Sequence, residues 1–339
     1  MTLPEYETTK PDDDHILAEG VDEEPVEANR RLFHRWTLHA FTVLAIAYST
    51  FHLYTLNIAP LETWSFRIVH VCGALILGFI LFAGSRFSEG DRVPAMQRWT
   101  TVAALILMVP AVYALVQTGL MYQMVLDGTM RIPPDIETWH FGWPLLAATT
   151  FGIIVSWFHV RPRSFFSLPD LVLVVCSIAA AAYFLVIYNT PVRMSTGTSF
   201  APIGISFAAI AGIALIMELT RRVAGLALVI IALIFLGYVF AGPYLPGFLG
   251  YPGLTIQRFF SQVYTDAGVL GPTTAVSSTY IILFIIFAAF LQASKVGDYF
   301  VNFAFAVAGR SRGGPAKVSI FASGLMGMIN GTSAGNVVS

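Results

Sequence analysis

The sequence predicts an all-α, polytopic membrane protein, and three observations carry that reading. Of 339 residues, 56% are hydrophobic and only 12% are Asp, Glu, Lys or Arg, where a soluble domain carries about 25% charge. Apolar runs of roughly 20 residues, enough to cross a hydrocarbon core of about 30 Å as helices, recur along the chain. Lys and Arg gather in alternate connections between those runs. A water-soluble enzyme is close to excluded by the first observation, because so few polar side chains cannot clothe a folded surface.

Residues 1–29 come first. Ten acids (Glu5, Glu7, Asp12, Asp13, Asp14, Glu19, Asp22, Glu23, Glu24 and Glu27) stand there against one base, Lys10. Such a segment has too little apolar surface to offset the entropy of ordering it, so it reads as a disordered, acidic, cytoplasmic tail. No basic-then-apolar leader opens the chain, since the first apolar run starts near Trp36.

Eight spans follow, near 36–57, 66–84, 101–120, 141–158, 169–188, 201–219, 223–241 and 275–294, with a shorter run at 316–329. Pro110 and Pro144 fall inside spans and are tolerable there, because neighbouring groups can satisfy the freed carbonyls. Fifteen bases lie on the side of Arg30, Arg86, Arg161, Arg221 and Arg310, against four (Arg67, Arg131, Arg193, Arg258) on the other. That bias places the N-terminus and the Arg310–Lys317 loop in the cytoplasm.

Two connections are more than turns. Residues 242–274 hold Pro243, Pro246, Pro252 and Pro272 and an amphipathic stretch, Ile256–Tyr264. It reads as an interfacial helix with Phe259, Phe260 and Tyr264 at the lipid boundary. Val296–Ala308 reads as a second such helix along the cytoplasmic surface. For both, a packed loop helix without lipid contact is the even alternative.

Ionisable residues inside spans are few. Glu218, beside Arg221 and Arg222, fits an interfacial ion pair at i,i+3 or i,i+4. Asp170 follows Pro169 at a helix start, where a carboxylate suits the positive end of the dipole. His39, His52 and His70 lie on the first two spans without a carboxylate at bonding distance along the chain, and read as packing or interfacial residues. Cys72 and Cys176 form no CxxC, and HExxH is absent. Gly309-Arg310-Ser311-Arg312-Gly313-Gly314-Pro315-Ala316-Lys317 fails as a phosphate loop because Pro315 stands where its Gly-Lys pair belongs. No catalytic residue, cofactor, metal cluster or nucleic-acid surface is predicted.

The C-terminal segment is the informative one. An apolar run from Val318 meets a glycine-rich polar cluster, Asn330-Gly331-Thr332-Ser333-Ala334-Gly335-Asn336, about 14 residues in. At 1.5 Å per residue that is roughly 20 Å, short of a crossing. Irregular backbone at such depth survives where it lines a cavity, and its bare carbonyls, hydroxyls and amides suit Na⁺ or an anionic solute. The same letters also allow a helix-packing stripe of Gly327, Gly331 and Gly335, as in a membrane scaffold or assembly protein without transport activity.

The run Gly309–Ser319 followed by Asn330–Val338 resembles the large (DctM-like) membrane subunit of tripartite ATP-independent periplasmic (TRAP) transporters. Thr220-Arg221-Arg222-Val223-Ala224-Gly225, Gly242-Pro243-Tyr244-Leu245-Pro246-Gly247 and Ser277-Ser278-Thr279-Tyr280 share the resemblance. It is strongest from about Met217 to Ser339, and closest to fused permeases paired with TAXI-type binding proteins. It implies a small-subunit-like helical region over 30–197 and a partial large-subunit transport region over 198–339, ending at the first re-entrant hairpin. It also implies a bacterial inner-membrane secondary transporter, not an enzyme, that takes a small organic acid from a periplasmic solute-binding protein by elevator-type movement. On the family pattern Ser333 and Asn336 would hold Na⁺, the coupling ion, with H⁺ as the alternative. Thr332 and Gly331 would be their neighbours, with Asn330 and Gly335 at the hairpin tip. Members of the family continue past such a tip, so the chain is expected to be incomplete as given.

Overall fold

The computed structural model describes residues 29–85, 87, 95–129, 131–160, 166–198, 200–310 and 312–330. The predicted acidic tail, up to residue 28, lies outside them. Two compact units divide the described residues, Asn29–Tyr299 and a second described over 300–330.

Among the described residues of the first unit the regular elements are all helices, with one isolated bridge between Arg30 and Phe82. Its helices are α1 (Arg35–Asn57), α2 (Thr63–Leu81) and α3 (Ala95–Leu126), then a π-helical turn, Ile136–Gly142, running into α4 (Trp143–Phe158). Next come α5 (Leu168–Ile187), the short α6 (Thr190–Ser195), α7 (Ile203–Ala224), α8 (Leu226–Ala241) and α9 (Ile256–Gln262). Finally α10 (Pro272–Val276) passes through a second π turn, Ser277–Ile281, into α11 (Ile282–Ala293). Helix α12 (Val296–Ala308) straddles the boundary, and α13 (Gly314–Asn330) belongs to the second unit.

Among the described residues seven helical segments are long and apolar enough to cross a bilayer: Thr63–Leu81, Gln97–Leu126, Ile136–Phe158, Leu168–Ile187, Ile203–Ala224, Leu226–Tyr244 and Pro272–Leu291. This is an all-α polytopic membrane protein. The first of the eight expected spans does form a helix, the 23-residue α1. His39, Thr42, Ser49, Thr50, His52 and Thr55 keep it out of the apolar class that the other seven reach.

Helix α5 is the centre of the bundle, packed against α2, α3, α4 and α7. Within its span 61% of residues are buried, against 11% for Leu226–Tyr244 and 6% for Pro272–Leu291. The difference follows from side-chain size. Ser177, Ala179 and Ala180 let neighbouring helices approach α5 closely, and all three are buried. Helix α8 is built of large apolar residues on every face and turns most of them outward, an arrangement stable in lipid and not in water.

Local chemistry sets the helix ends. Ser167 caps α5 by accepting from the Asp170 amide at 3.4 Å, with Pro169 in the first turn. Pro110 is accommodated inside α3, while Pro144 stands in the first turn of α4. The sequence places the α7–α8 connection at Thr220–Arg222, but α7 runs on through both arginines. The chain turns at Gly225 alone, whose φ of 84° and ψ of 179° only glycine adopts cheaply.

For Tyr264, read either at the lipid boundary or in a packed loop helix, the structure shows the packed arrangement: it is 5% exposed and stacked on Phe184, with ring centroids 5.0 Å apart. The reason is Gly212 of α7, which leaves the space that the Tyr264 ring occupies. Helix α9 accordingly packs on α7. In the second unit Ala304 is buried with Val318 and Ala322, so α12 and α13 meet through small side chains.

Candidate functional site

Helix α13 delivers the chain to the glycine cluster. The turn before it uses Gly313 at φ 71°, and the Lys317 amide donates to the Gly313 carbonyl at 3.2 Å. The helix has 17 residues, a rise of about 26 Å. It stays regular past Gly324 and Gly327 and is described as far as Asn330. A side chain built on Gly324 would meet nothing within 4 Å. Of the predicted ion-site and hairpin-tip residues, Asn330 is the last described residue of the helix. Gly331, Thr332, Ser333, Gly335 and Asn336 lie outside the described residues.

A second constellation occupies the arginine-rich end of the bundle, where α2, α4, α5 and α7 meet. Asp170 is 1% exposed and is bonded by Arg31, by Arg222 at 2.7 Å and by Ser167 Oγ at 2.5 Å. Glu218, 3% exposed, takes Arg222 at 2.7 Å, Arg221 at 2.8 Å and the Trp157 indole at 2.9 Å. The Glu218 pairs at i,i+3 and i,i+4 are those the sequence predicts. Three guanidinium groups face two carboxylates, and backbone carbonyls absorb the surplus. Arg31 donates to Phe79 and Ile80 O at 2.8 Å, and Arg222 to Phe82 O at 2.9 Å. These carbonyls form the negative end of α2. Burial pulls the Arg31 guanidinium below its ordinary range, the Asp170 charge and bond oppose this, and Arg222 adds to the fall. Asn29, at the end of the predicted tail, is tied down here, its amide donating to Arg222 O at 2.5 Å.

Asp170 thus does more than favour a helix dipole. It joins the entering chain to α7 through Arg31 and Arg222. Nothing local in the sequence signals this, because Arg31 lies 139 positions from Asp170.

At the opposite end the structure reveals Glu137, which the sequence reading passes over. It lies in the first π turn, 2% exposed, and accepts from Tyr183 Oη at 2.7 Å and from the Gly204 amide at 3.3 Å. It therefore caps α7 from another helix, satisfying an amide that Pro202, at the cap position, has no side chain to reach. Nearby, Arg193 pairs with Asp266 and lies 4.5 Å from the Trp64 ring centroid. Burial works against the Arg193 charge, but Asp266 and Tyr188 together push its pKa up. His52 and His70, expected to act singly, bond to each other at 2.9 Å.

Fold and sites together define a helical membrane protein in which the buried carboxylates Asp170, Glu218 and Glu137 join helices at two ends of the bundle. More particularly, residues 210–339 match the family described as the tripartite ATP-independent periplasmic transporter, DctM component. The matched stretch takes in most of α7, then α8 to α13 and the glycine cluster, and it supports the TRAP permease family. No curated protein and no solved structure matches the chain.

Proposed function

We infer that this chain is the membrane permease component of a TRAP-type secondary transporter in a bacterial inner membrane. The observation that carries the reading is the family match over residues 210–339, which spans both the apolar helices and the glycine cluster. In this reading a TAXI-type periplasmic binding protein delivers a small organic acid to the outer face. The N-terminus is cytoplasmic, which the fifteen-to-four partition of Lys and Arg supports. Beyond α13 the backbone leaves its helix partway through the lipid, and Ser333 and Asn336, with Thr332 and Gly331 beside them, hold Na⁺ at a hairpin tip formed by Asn330 and Gly335. Such a tip supplies oxygens where water is scarce. The Na⁺ gradient drives an elevator-type movement.

The test is uptake of organic acids into proteoliposomes holding the permease that contains this chain, supplied with its binding protein. Uptake should rise with an inward Na⁺ gradient, and Ser333→Ala with Asn336→Ala should remove that rise while membrane insertion persists. Unchanged Na⁺ stimulation in the double variant would exclude these residues as ligands. Uptake that follows a proton gradient alone would exclude Na⁺ as the driving ion.

A further inference from the structure

His52 and His70 stand outside everything used so far. They lie on the successive helices α1 and α2, His52 fully buried and His70 8% exposed. Each of their nitrogens has a partner. His52 Nδ1 is 2.8 Å from the Tyr48 carbonyl, and His52 Nε2 is 2.9 Å from His70 Nδ1. His70 Nε2 is 3.2 Å from Ser277 Oγ. The Tyr48 hydroxyl lies 2.9 Å from both the His70 carbonyl and His70 Nδ1.

Donor accounting fixes the protons. A carbonyl only accepts, so His52 Nδ1 carries hydrogen, and a neutral His52 then presents a bare Nε2. The bond to that nitrogen requires hydrogen on His70 Nδ1. A neutral His70 is left with a bare Nε2, which accepts from the Ser277 hydroxyl. The Tyr48 hydroxyl donates to the His70 carbonyl. The result is a chain of one polarity, from Ser277 through His70 and His52 to the Tyr48 carbonyl.

That chain has room for one more proton. We propose that the His52–His70 pair is a one-proton binding site, loaded from the Ser277 side. A proton from water that reaches His70 Nε2 reverses the serine bond, with Nε2–H now donating and Ser277 Oγ accepting. Transfer of the His70 Nδ1 proton to His52 Nε2 then moves the charge one ring inward and leaves His70 neutral. Every hydrogen bond along the chain from Ser277 to the Tyr48 carbonyl persists in both arrangements, no electrons move, and the proton returns to water by the same path. A second proton is refused, because His52 Nε2–H and His70 Nδ1–H would then face each other across 2.9 Å.

The surroundings agree with a shared charge rather than a fixed ion pair. Besides His52, α1 carries Arg35, His39, Tyr48 and Tyr54, of which Tyr48 bonds to the pair, and besides His70, α2 carries Arg67 and Cys72. Cys72 Sγ donates to the Ser177 carbonyl of α5, and Arg67 donates to Leu270 O at 2.7 Å. Cys176 of α5 is buried, Tyr264 is stacked on Phe184, and the stretch from Pro272 to the end of the π turn brings only Tyr280. None of these is a carboxylate. Ser277 belongs to the π turn of a span only 6% buried. A charge-assisted bond is roughly twice as strong as a neutral one, so loading tightens the hold of α2 on that turn. None of this depends on the transport reading.

The experiment is nitrogen NMR of the full chain with ¹⁵N-labelled histidine in lipid nanodiscs, titrated from neutral to acid pH. The expected result is a coupling across the hydrogen bond between His52 Nε2 and His70 Nδ1, and a joint response of both rings to uptake of one proton. Ser277→Ala should shift their common midpoint downward, because the protonated form loses its acceptor. In His52→Phe, with the other histidine resonances unchanged as the measure of folding, His70 should titrate alone at a new midpoint. Independent titration of the two rings, absence of the coupling, or a pair that stays neutral throughout while the fold persists would each overturn the proposal.

Discussion

Asp170 shows how a membrane bundle keeps ionised side chains out of water. Its carboxylate is taken up by Arg31, Arg222 and Ser167, and the surplus positive charge rests on the carbonyl end of α2. Breaking a buried pair leaves a charge without its counterpart, which costs about 3–5 kcal/mol. Asp170→Asn should therefore lower the thermal midpoint of the purified protein in nanodiscs markedly. Adding Arg31→Met should restore part of the loss, since it removes the cation left without a carboxylate, while Arg222 keeps Glu218. An unchanged midpoint for the single variant would show that the cluster holds nothing together. This residue also marks the reach of sequence reading. Glu218 and its arginines lie within one turn of one helix, so their pairing is legible from spacing. Asp170 with Arg31, Glu137 with Tyr183 and His52 with His70 are pairings between helices. They are fixed by the register in which helices pack, and no periodicity of a single chain segment encodes that register.

At the scale of the element, apolar length was enough to find the helices: all eight expected runs are helical, and seven of them are long and apolar enough to cross a bilayer. Their ends were less legible. Arginine pairs read as loops when charge is assumed to mean exposure. Arg221 and Arg222 remain helical because Glu218 neutralises them and carbonyls of the α2 end cover them. The turn itself falls on Gly225. Gly225→Ala should destabilise the protein by about 1–3 kcal/mol, the usual cost of a side chain in this backbone region, although nothing lies within 4 Å of the added carbon. Thermal unfolding checks this, and a neutral result would mean that the turn relaxes into another conformation. The break expected near Thr332 is a reading of a different kind. It rests on glycine and hydroxyl content at an inferred depth, and Thr332 lies outside the described residues.

For the whole molecule, the alternation of Lys and Arg makes one firm demand on topology. In a background with the two free cysteines, Cys72 and Cys176, replaced by alanine, Ser88→Cys should resist impermeant thiol reagents in intact cells, while Thr129→Cys should react. The reverse pattern would invert every span. The uneven burial of the helices was hidden from composition, because α5 and α8 are both strongly apolar. What separates them is the small-residue surface of α5, through which four helices meet, and the bulky, outward-facing surface of α8.

The single-residue turn at Gly225 leaves α7 and α8 no slack between them. Neither rod can slide along its axis without carrying the other, so any displacement of α7 is passed directly to α8.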